Sequence, residues 1–240
     1  MVAKPLTGEQ IEELKGLGET HFWPHSRPTG DMSDDTGIKL VTHSKGIWVE
    51  GPTGERHVDL IAGMWLKNIG HGRKEIADAV YEQMLDVSYS PGGTVAPATV
   101  KLASKVASLT PDPDSRVYFV SGGSEAVETA IKMAKKYQYN IGERGRWKVI
   151  SRQNSYHGAT HLCMSLGFNH VNRPNDYGPL VPGNIRISNP GLTYRTMPGD
   201  WDMQYAYDLE KAIIDEGPDS ICLLYTSDAA DERSSVDLGG

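Results

Sequence analysis

The segment Val120-Ser121-Gly122-Gly123-Ser124-Glu125-Ala126-Val127-Glu128-Thr129 joins an apolar run to an amphipathic one through two adjacent glycines and a serine. A strand that passes through such a turn into a helix aims free backbone N–H groups and the positive helix end at one point. An anion, above all a phosphate, is stabilised there, and the Ser124 hydroxyl can add a hydrogen bond. The same residues also read as a plain helix cap, since Ser121 or Ser124 followed by a glutamate resembles a capping box. Spacing alone leaves both readings open. No Gly-Lys-Ser/Thr closes the turn as in a P-loop, and no third glycine completes a dinucleotide fingerprint, which argues against ATP and NAD.

A second constellation, Asn154-Ser155-Tyr156-His157-Gly158-Ala159-Thr160, follows the apolar run Trp147-Lys148-Val149-Ile150. If both runs are strands of one parallel sheet, both segments leave it at the carboxyl edge, where open α/β sheets bind ligands. An aromatic ring beside a phosphate cradle suits a flat heterocycle that carries a phosphate. His157 and His161 stand four apart, as two metal ligands on one helical face would. No glutamate lies between them in a zinc-binding pattern and no third ligand is placed, so no metal site is assigned.

The elements that position these residues are legible from periodicity. A polar helix is expected near residues 7–17. Three short strands follow, at 38–42, 46–50 and 57–60, with Gly51-Pro52-Thr53-Gly54 as a turn, which makes an antiparallel meander. Ile76, Val80, Met84 and Val87 share one helical face, as do Leu102, Val106 and Leu109 in a helix opened by Pro97. A strand–helix alternation comes next: a buried strand at 116–120, a helix at 124–140 with Val127, Ala130, Ile131 and Ala134 inward, and a strand at 147–150. It continues with a helix after His157, a strand at 185–188, a helix at 202–216 stopped by Gly217-Pro218, and a strand at 220–225. Such alternation implies a mainly parallel sheet covered by helices, an α/β fold, because parallel neighbours need crossover connections.

Composition narrows the partners. With 24 basic and 31 acidic residues the net charge is −7, so nothing global favours nucleic acid or an anionic membrane. The first residues, MVAKPLTGEQIEEL, lack the apolar stretch of a signal peptide, and no apolar run approaches the roughly 20 residues that span a bilayer. A cytoplasmic protein acting on small molecules is expected. Cys163 and Cys222 offer no disulfide framework.

Ser-Gly-Gly-Ser-Glu-Ala-Val-Glu-Thr-Ala-Ile-Lys at 121–132 and Tyr-His-Gly-Ala-Thr at 156–160 resemble motifs of the class III pyridoxal-phosphate-dependent aminotransferases of the omega-transaminase kind. Asp59-Leu-Ile-Ala-Gly-Met-Trp65 and Gly70-His-Gly-Arg73 strengthen the likeness, which runs from about residue 20 to about 223 in family order. The resemblance implies fold-type I, with an incomplete, mainly parallel sheet of the large domain preceded by a small α+β segment. It implies pyridoxal 5'-phosphate as cofactor, an amine or omega-amino acid and a keto acid as substrates, and a homodimer as the complete protein. By the same likeness Gly123 and Ser124 bind the cofactor phosphate, Tyr156 stacks on the pyridine ring and His157 supports the pocket. Trp65 would line the substrate entrance, and the loop Tyr89-Ser-Pro-Gly-Gly-Thr94 resembles the one that approaches the partner subunit's cofactor. An aminomutase or a decarboxylase on the same scaffold, or a fragment without specific binding, are the rival readings.

The likeness stops where the last strand should continue into an Ala-Glu-Pro segment. The sequence instead reads Tyr225-Thr-Ser-Asp-Ala-Ala-Asp-Glu-Arg, and residues 227–240 carry four acidic side chains and one basic one. We therefore expect residues 1–72 to form the N-terminal helix and meander, 73–226 part of the cofactor-binding domain, and 227–240 a tail foreign to the family. In the family, the missing half brings the acid that pairs with the pyridine nitrogen and the lysine that forms the Schiff base. No catalytic residue is assigned within the chain, which is expected to be inactive as it stands.

Overall fold

A computed structural model describes residues 5–23, 39–153, 155–167, 177–188 and 203–226. The chain divides into two compact units, residues 1–116 and 117–240.

The first unit opens with α1 (Gly8–His21), started by a reciprocal capping box. The Gln10 N–H donates to Thr7 Oγ1 at 3.3 Å and the Thr7 N–H to Gln10 Oε1 at 3.0 Å. The expected meander forms from β1 (His43–Lys45), β2 (Trp48–Glu50) and β3 (Arg56–Val58), antiparallel in the order β1-β2-β3. The first strand lies later than the expected 38–42, because the register is fixed by the turn at Gly46-Ile47, which sets Lys45 opposite Trp48. Thr42 still extends that ladder, its N–H donating to the Glu50 carbonyl at 2.9 Å, whereas Ile38 lies outside the described residues. The Gly51–Gly54 turn closes with a 3.1 Å hydrogen bond from the Gly54 N–H to the Gly51 carbonyl.

After α2, a single turn at Ala62–Trp65, come α3 (Lys74–Asp86) and α4 (Pro97–Ala107), the latter with Pro97 in its first turn as expected. The apolar stripe of α3 forms as its period predicts, yet Ile76, Val80 and Met84 are all exposed and no α3 residue is buried.

The second unit alternates helix and strand: α5 (Gly123–Asn140), β4 (Lys148–Arg152), α6 (His161–Leu166), β5 (Asn184–Ile187), α7 (Gln204–Glu216) and β6 (Ile221–Leu224). The sheet order is β5-β4-β6 and both pairings are parallel, the arrangement that crossover helices allow. Central β4 is covered on both sides, so Val149, Ile150 and Ser151 are fully buried. Ile131 of α5, Val149 and Leu166 of α6 form the core, with Val127, Leu162, Leu223 and Tyr225 packed on it. Tyr205, Leu209, Ala212 and Ile213 lie half-buried on α7, the inward face their spacing predicts.

One strand expectation fails. Residues 116–120 form no strand, and Tyr118, Phe119 and Val120 are exposed. A strand exists only through its neighbours' hydrogen bonds, and among the described residues none pairs with this segment. Apolar content predicted burial; pairing decided otherwise. Among the described residues no helix is long and apolar enough to cross a membrane.

Candidate functional site

The start of α5 is open. Its N-cap, Gly122, has extended backbone with φ −163° and supplies no side-chain cap. The first intrahelical bond runs from the Ala126 N–H to the Gly122 carbonyl at 3.0 Å. The N–H groups of Gly123, Ser124 and Glu125 therefore have no partner within the helix. Glu125 does reach back, but to Ser121, whose N–H donates to Glu125 Oε2 at 2.9 Å. Of the two readings left open by the sequence, the side-chain cap at the N-cap position is not formed, and the cradle stays available.

Ser124 is held from the side. The Ala159 N–H donates to Ser124 Oγ at 2.9 Å, and the Cys163 thiol lies 3.3 Å from the Ser124 carbonyl. Accepting from Ala159 leaves the hydroxyl proton of Ser124 free to donate elsewhere. The approach is close because of Gly158, whose φ is +128°. A Cβ there would stand 2.5 Å from Ser124 Oγ and 3.0 Å from Cys163 Cβ, so only glycine lets the loop after β4 touch the helix start.

Between these elements lies a cleft of about 510 Å³ lined by Gly123, Ser124, Val127, Tyr156, His157 and Tyr225 among others. The Tyr156 ring is 45% exposed and forms an open wall. His157 is 4% exposed, and among the described residues neither ring nitrogen has a hydrogen-bond partner. Burial first, and then the nearby Arg152 charge, push its pKa down to about 4, so the imidazole is neutral at pH 7. Its edge meets the Tyr225 ring at 4.9 Å between centroids and 85° between planes.

All four expected cofactor-side residues, Gly123, Ser124, Tyr156 and His157, thus border one cleft. Trp65 and Tyr89 belong to the first unit, where Trp65 is 48% exposed and Tyr89 79%. His161 directs Nε2 at the Pro179 carbonyl, 3.0 Å away, and among the described residues no group of three or more His, Cys, Asp or Glu is placed to hold a metal. Sequence reading missed Tyr225 as a lining residue and Gly158 as a spacer. Gly158 had a signal, its place after Tyr-His, whereas Tyr225 had none because it stands where the family motif ends.

Residues 31–224 match the family model described as aminotransferase class-III. The chain belongs to this family. It is 34% identical over 236 residues to a probable aminotransferase, Rv3329, of Mycobacterium tuberculosis, covering 93% of this chain and 49% of the relative. Among solved structures, an (S)-enantioselective omega-transaminase from Thermomicrobium roseum superposes with a TM-score of 0.77 at 31% identity, covering 92% of this chain and 49% of that one. A taurine:2-oxoglutarate aminotransferase from Bifidobacterium kashiwanohense, solved with PLP and glutamate, gives a TM-score of 0.76 at 26% identity, covering 92% and 48%. This class-III aminotransferase chain therefore spans about half the length of the relatives it matches. It carries part of a fold-type I transferase, an α/β architecture whose parallel sheet of three strands is incomplete.

Proposed function

We propose that the cleft at the start of α5 is the phosphate and ring side of a pyridoxal 5'-phosphate site. The observation that carries this reading is the uncapped α5 terminus with Ser124 Oγ already accepting from Ala159, so that N–H groups and one hydroxyl proton converge on the same space. A phosphate dianion fits that donor set, which contains no competing carboxylate among the residues lining the cleft. Tyr156 stacks on the pyridine ring. His157, neutral and buried, closes the wall without placing a charge there.

When bound, the cofactor supplies an electron sink for bonds at the carbon bearing the amino group. The residues of this chain bind and orient it. In the whole protein, a homodimer, the reaction is transfer of an amino group between an amine or omega-amino acid and a keto acid. Trp65 faces the substrate entrance, and the loop carrying Tyr89 serves the partner subunit's site. Among the described residues lining the cleft there is no lysine, and on this reading the group that bonds the cofactor covalently comes from elsewhere in the whole protein. Within this reading, residues 1–72 contribute to the small domain, 73–226 to the cofactor-binding domain, and 227–240 to neither. A cytoplasmic location belongs to the same proposal and accords with two unpaired cysteines.

Titration with pyridoxamine 5'-phosphate tests it, because that ligand has no aldehyde and cannot label surface lysines. Saturable binding that Ser124→Ala weakens supports the reading. Equal binding by wild type and Ser124→Ala overturns it.

A further inference from the structure

The turn α2 has the wrong hand for L-residues. φ is +48° at Ala62, +59° at Gly63, +56° at Met64 and +71° at Trp65. Only Gly63 adopts this without strain, because the Cβ of the other three crowds the following carbonyl. Strain of this kind persists only where the surroundings over-determine it.

Those surroundings centre on one carboxylate oxygen. Asp59 Oδ2 accepts from the Gly63 N–H at 2.6 Å, in the middle of the turn. His71 Nε2 lies 2.7 Å from the same oxygen, and because an ionised carboxylate only accepts, the imidazole donates. Both side chains are shielded, 9% exposed for Asp59 and 13% for His71. The His71 backbone is itself fixed by two hydrogen bonds with Gly46, from its N–H to the Gly46 carbonyl at 2.8 Å and back at 3.0 Å. The Asp59 N–H donates to the Ile47 carbonyl at 2.8 Å. The turn is thus anchored at both ends to the β1–β2 hairpin. The His71 hydrogen bond, the largest influence, holds the Asp59 carboxyl below its ordinary range.

Burial does not account for the strain. No residue of α2 is buried, and Met64, Trp65 and the following Leu66 are all exposed. Strain held by a dedicated polar pair, with no core formed in return, is the pattern of a segment shaped to present a side chain.

We propose that Asp59 and His71 are positioning residues whose shared hydrogen bond locks the left-handed turn and so fixes the direction in which the Trp65 ring is presented. The purpose of that presentation rests on Trp65 facing the substrate entrance. The locking itself is measurable without substrate, so the two ideas fail separately.

The test is the indole N–H spectrum of the 240-residue chain labelled with ¹⁵N-tryptophan. Trp65→Phe identifies the Trp65 signal, and Trp48→Phe identifies that of Trp48 on β2, which serves as the control for the meander. Asp59→Ala and His71→Phe are each expected to move the Trp65 signal toward the free-tryptophan position and leave Trp48 unmoved. Asp59→Asn, which keeps an acceptor oxygen, is expected to move it less than Asp59→Ala. Met64→Gly in the Asp59→Ala background is expected to bring the signal back, since glycine tolerates the left-handed region. A Trp65 signal unmoved by Asp59→Ala, or moving in step with Trp48, overturns the proposal. Should Asp59→Ala not fold, Met64→Gly alone decides: relief of strain raises the urea midpoint, and a lowered midpoint overturns the proposal.

Discussion

Ser124 and Ala159, 35 residues apart in sequence, meet through a 2.9 Å hydrogen bond in which the Ala159 N–H donates to Ser124 Oγ. The bond joins the start of α5 to the loop after β4 and makes the serine oxygen an acceptor on that side. One lone pair is taken, and the hydroxyl proton is left free for another acceptor at the cleft that Gly123 and Ser124 line. On the function proposed above, this is an anion site prepared before any ligand arrives.

Ser124→Ala removes that donor and leaves the Ala159 N–H without its acceptor. A hydrogen bond to a charged group contributes about 1.5–3 kcal/mol, so the affinity for pyridoxamine 5'-phosphate should fall by roughly 10- to 150-fold. Fluorescence titration measures it. Inorganic phosphate should compete for the same site in wild type and compete less well in the variant.

Gly158→Ala attacks the same contact through space. The new Cβ would stand 2.5 Å from Ser124 Oγ, at a φ of +128° that alanine avoids. Overpacking and a disfavoured backbone together should cost about 2–4 kcal/mol of stability, read as a lowered urea midpoint. Ligand binding should weaken as well, since the loop must withdraw from Ser124. A variant as stable as wild type would show that the loop does not press on the helix.

Much of this was legible in residue order. Two adjacent glycines followed by an apolar helical period gave the start of α5, and Val127 and Ile131 fell where the period put them. The antiparallel meander and the alternation of strands and helices were equally local patterns. Residues 116–120 went wrong because apolar content reports burial, whereas a strand also needs a partner backbone. The left-handed turn at Ala62–Trp65 was invisible, since Ala, Met and Trp are residues that ordinarily avoid positive φ. The turn is tied to His71 through Asp59 Oδ2, which accepts from both the Gly63 N–H and His71, a pairing no local pattern encodes. His157 was placed at the cleft by its motif, but its depressed basicity depends on burial that no local pattern encodes.

That depressed basicity has a pH signature. The His157 pKa lies at about 4 in the folded chain against an ordinary value of 6.5, so between these limits the unfolded chain binds the extra proton. Stability should therefore fall as pH drops from about 6.5 to about 4 and level off below, a loss on the order of 3 kcal/mol from this residue. His157→Phe should flatten that part of the profile. Urea unfolding of both proteins at several pH values gives the difference, and parallel profiles would show that the imidazole is solvated.

Tyr156 separates a ring from its hydroxyl. Its exposed ring lines the cleft, and stacking of aromatic faces contributes about 0.5–1.5 kcal/mol beyond simple burial. Tyr156→Ala should then weaken pyridoxamine 5'-phosphate binding by at least several-fold, whereas Tyr156→Phe should stay near wild type. Equal losses in the two variants would assign the effect to the hydroxyl.

The 240-residue chain by itself should show no aminotransferase turnover. Covalent capture of the cofactor needs an amine within reach of its aldehyde, and the residues lining the cleft include no lysine. On α5, Lys132 and Lys136 line a different depression together with Tyr118 and Met133. On the proposed reading, a phosphate held at Ser124 anchors the cofactor beside a wall that, among the described residues, offers no amine. The chain also spans about half of its relatives' length, as with the 49% of Rv3329 that it covers. An amine-to-pyruvate assay on purified chain should give no product above background. Borohydride reduction after incubation with pyridoxal 5'-phosphate, followed by peptide mapping, should find only scattered surface labelling that inorganic phosphate does not suppress. One lysine labelled stoichiometrically, protected by phosphate and accompanied by turnover, would place the catalytic amine within residues 1–240 and overturn this assignment of roles.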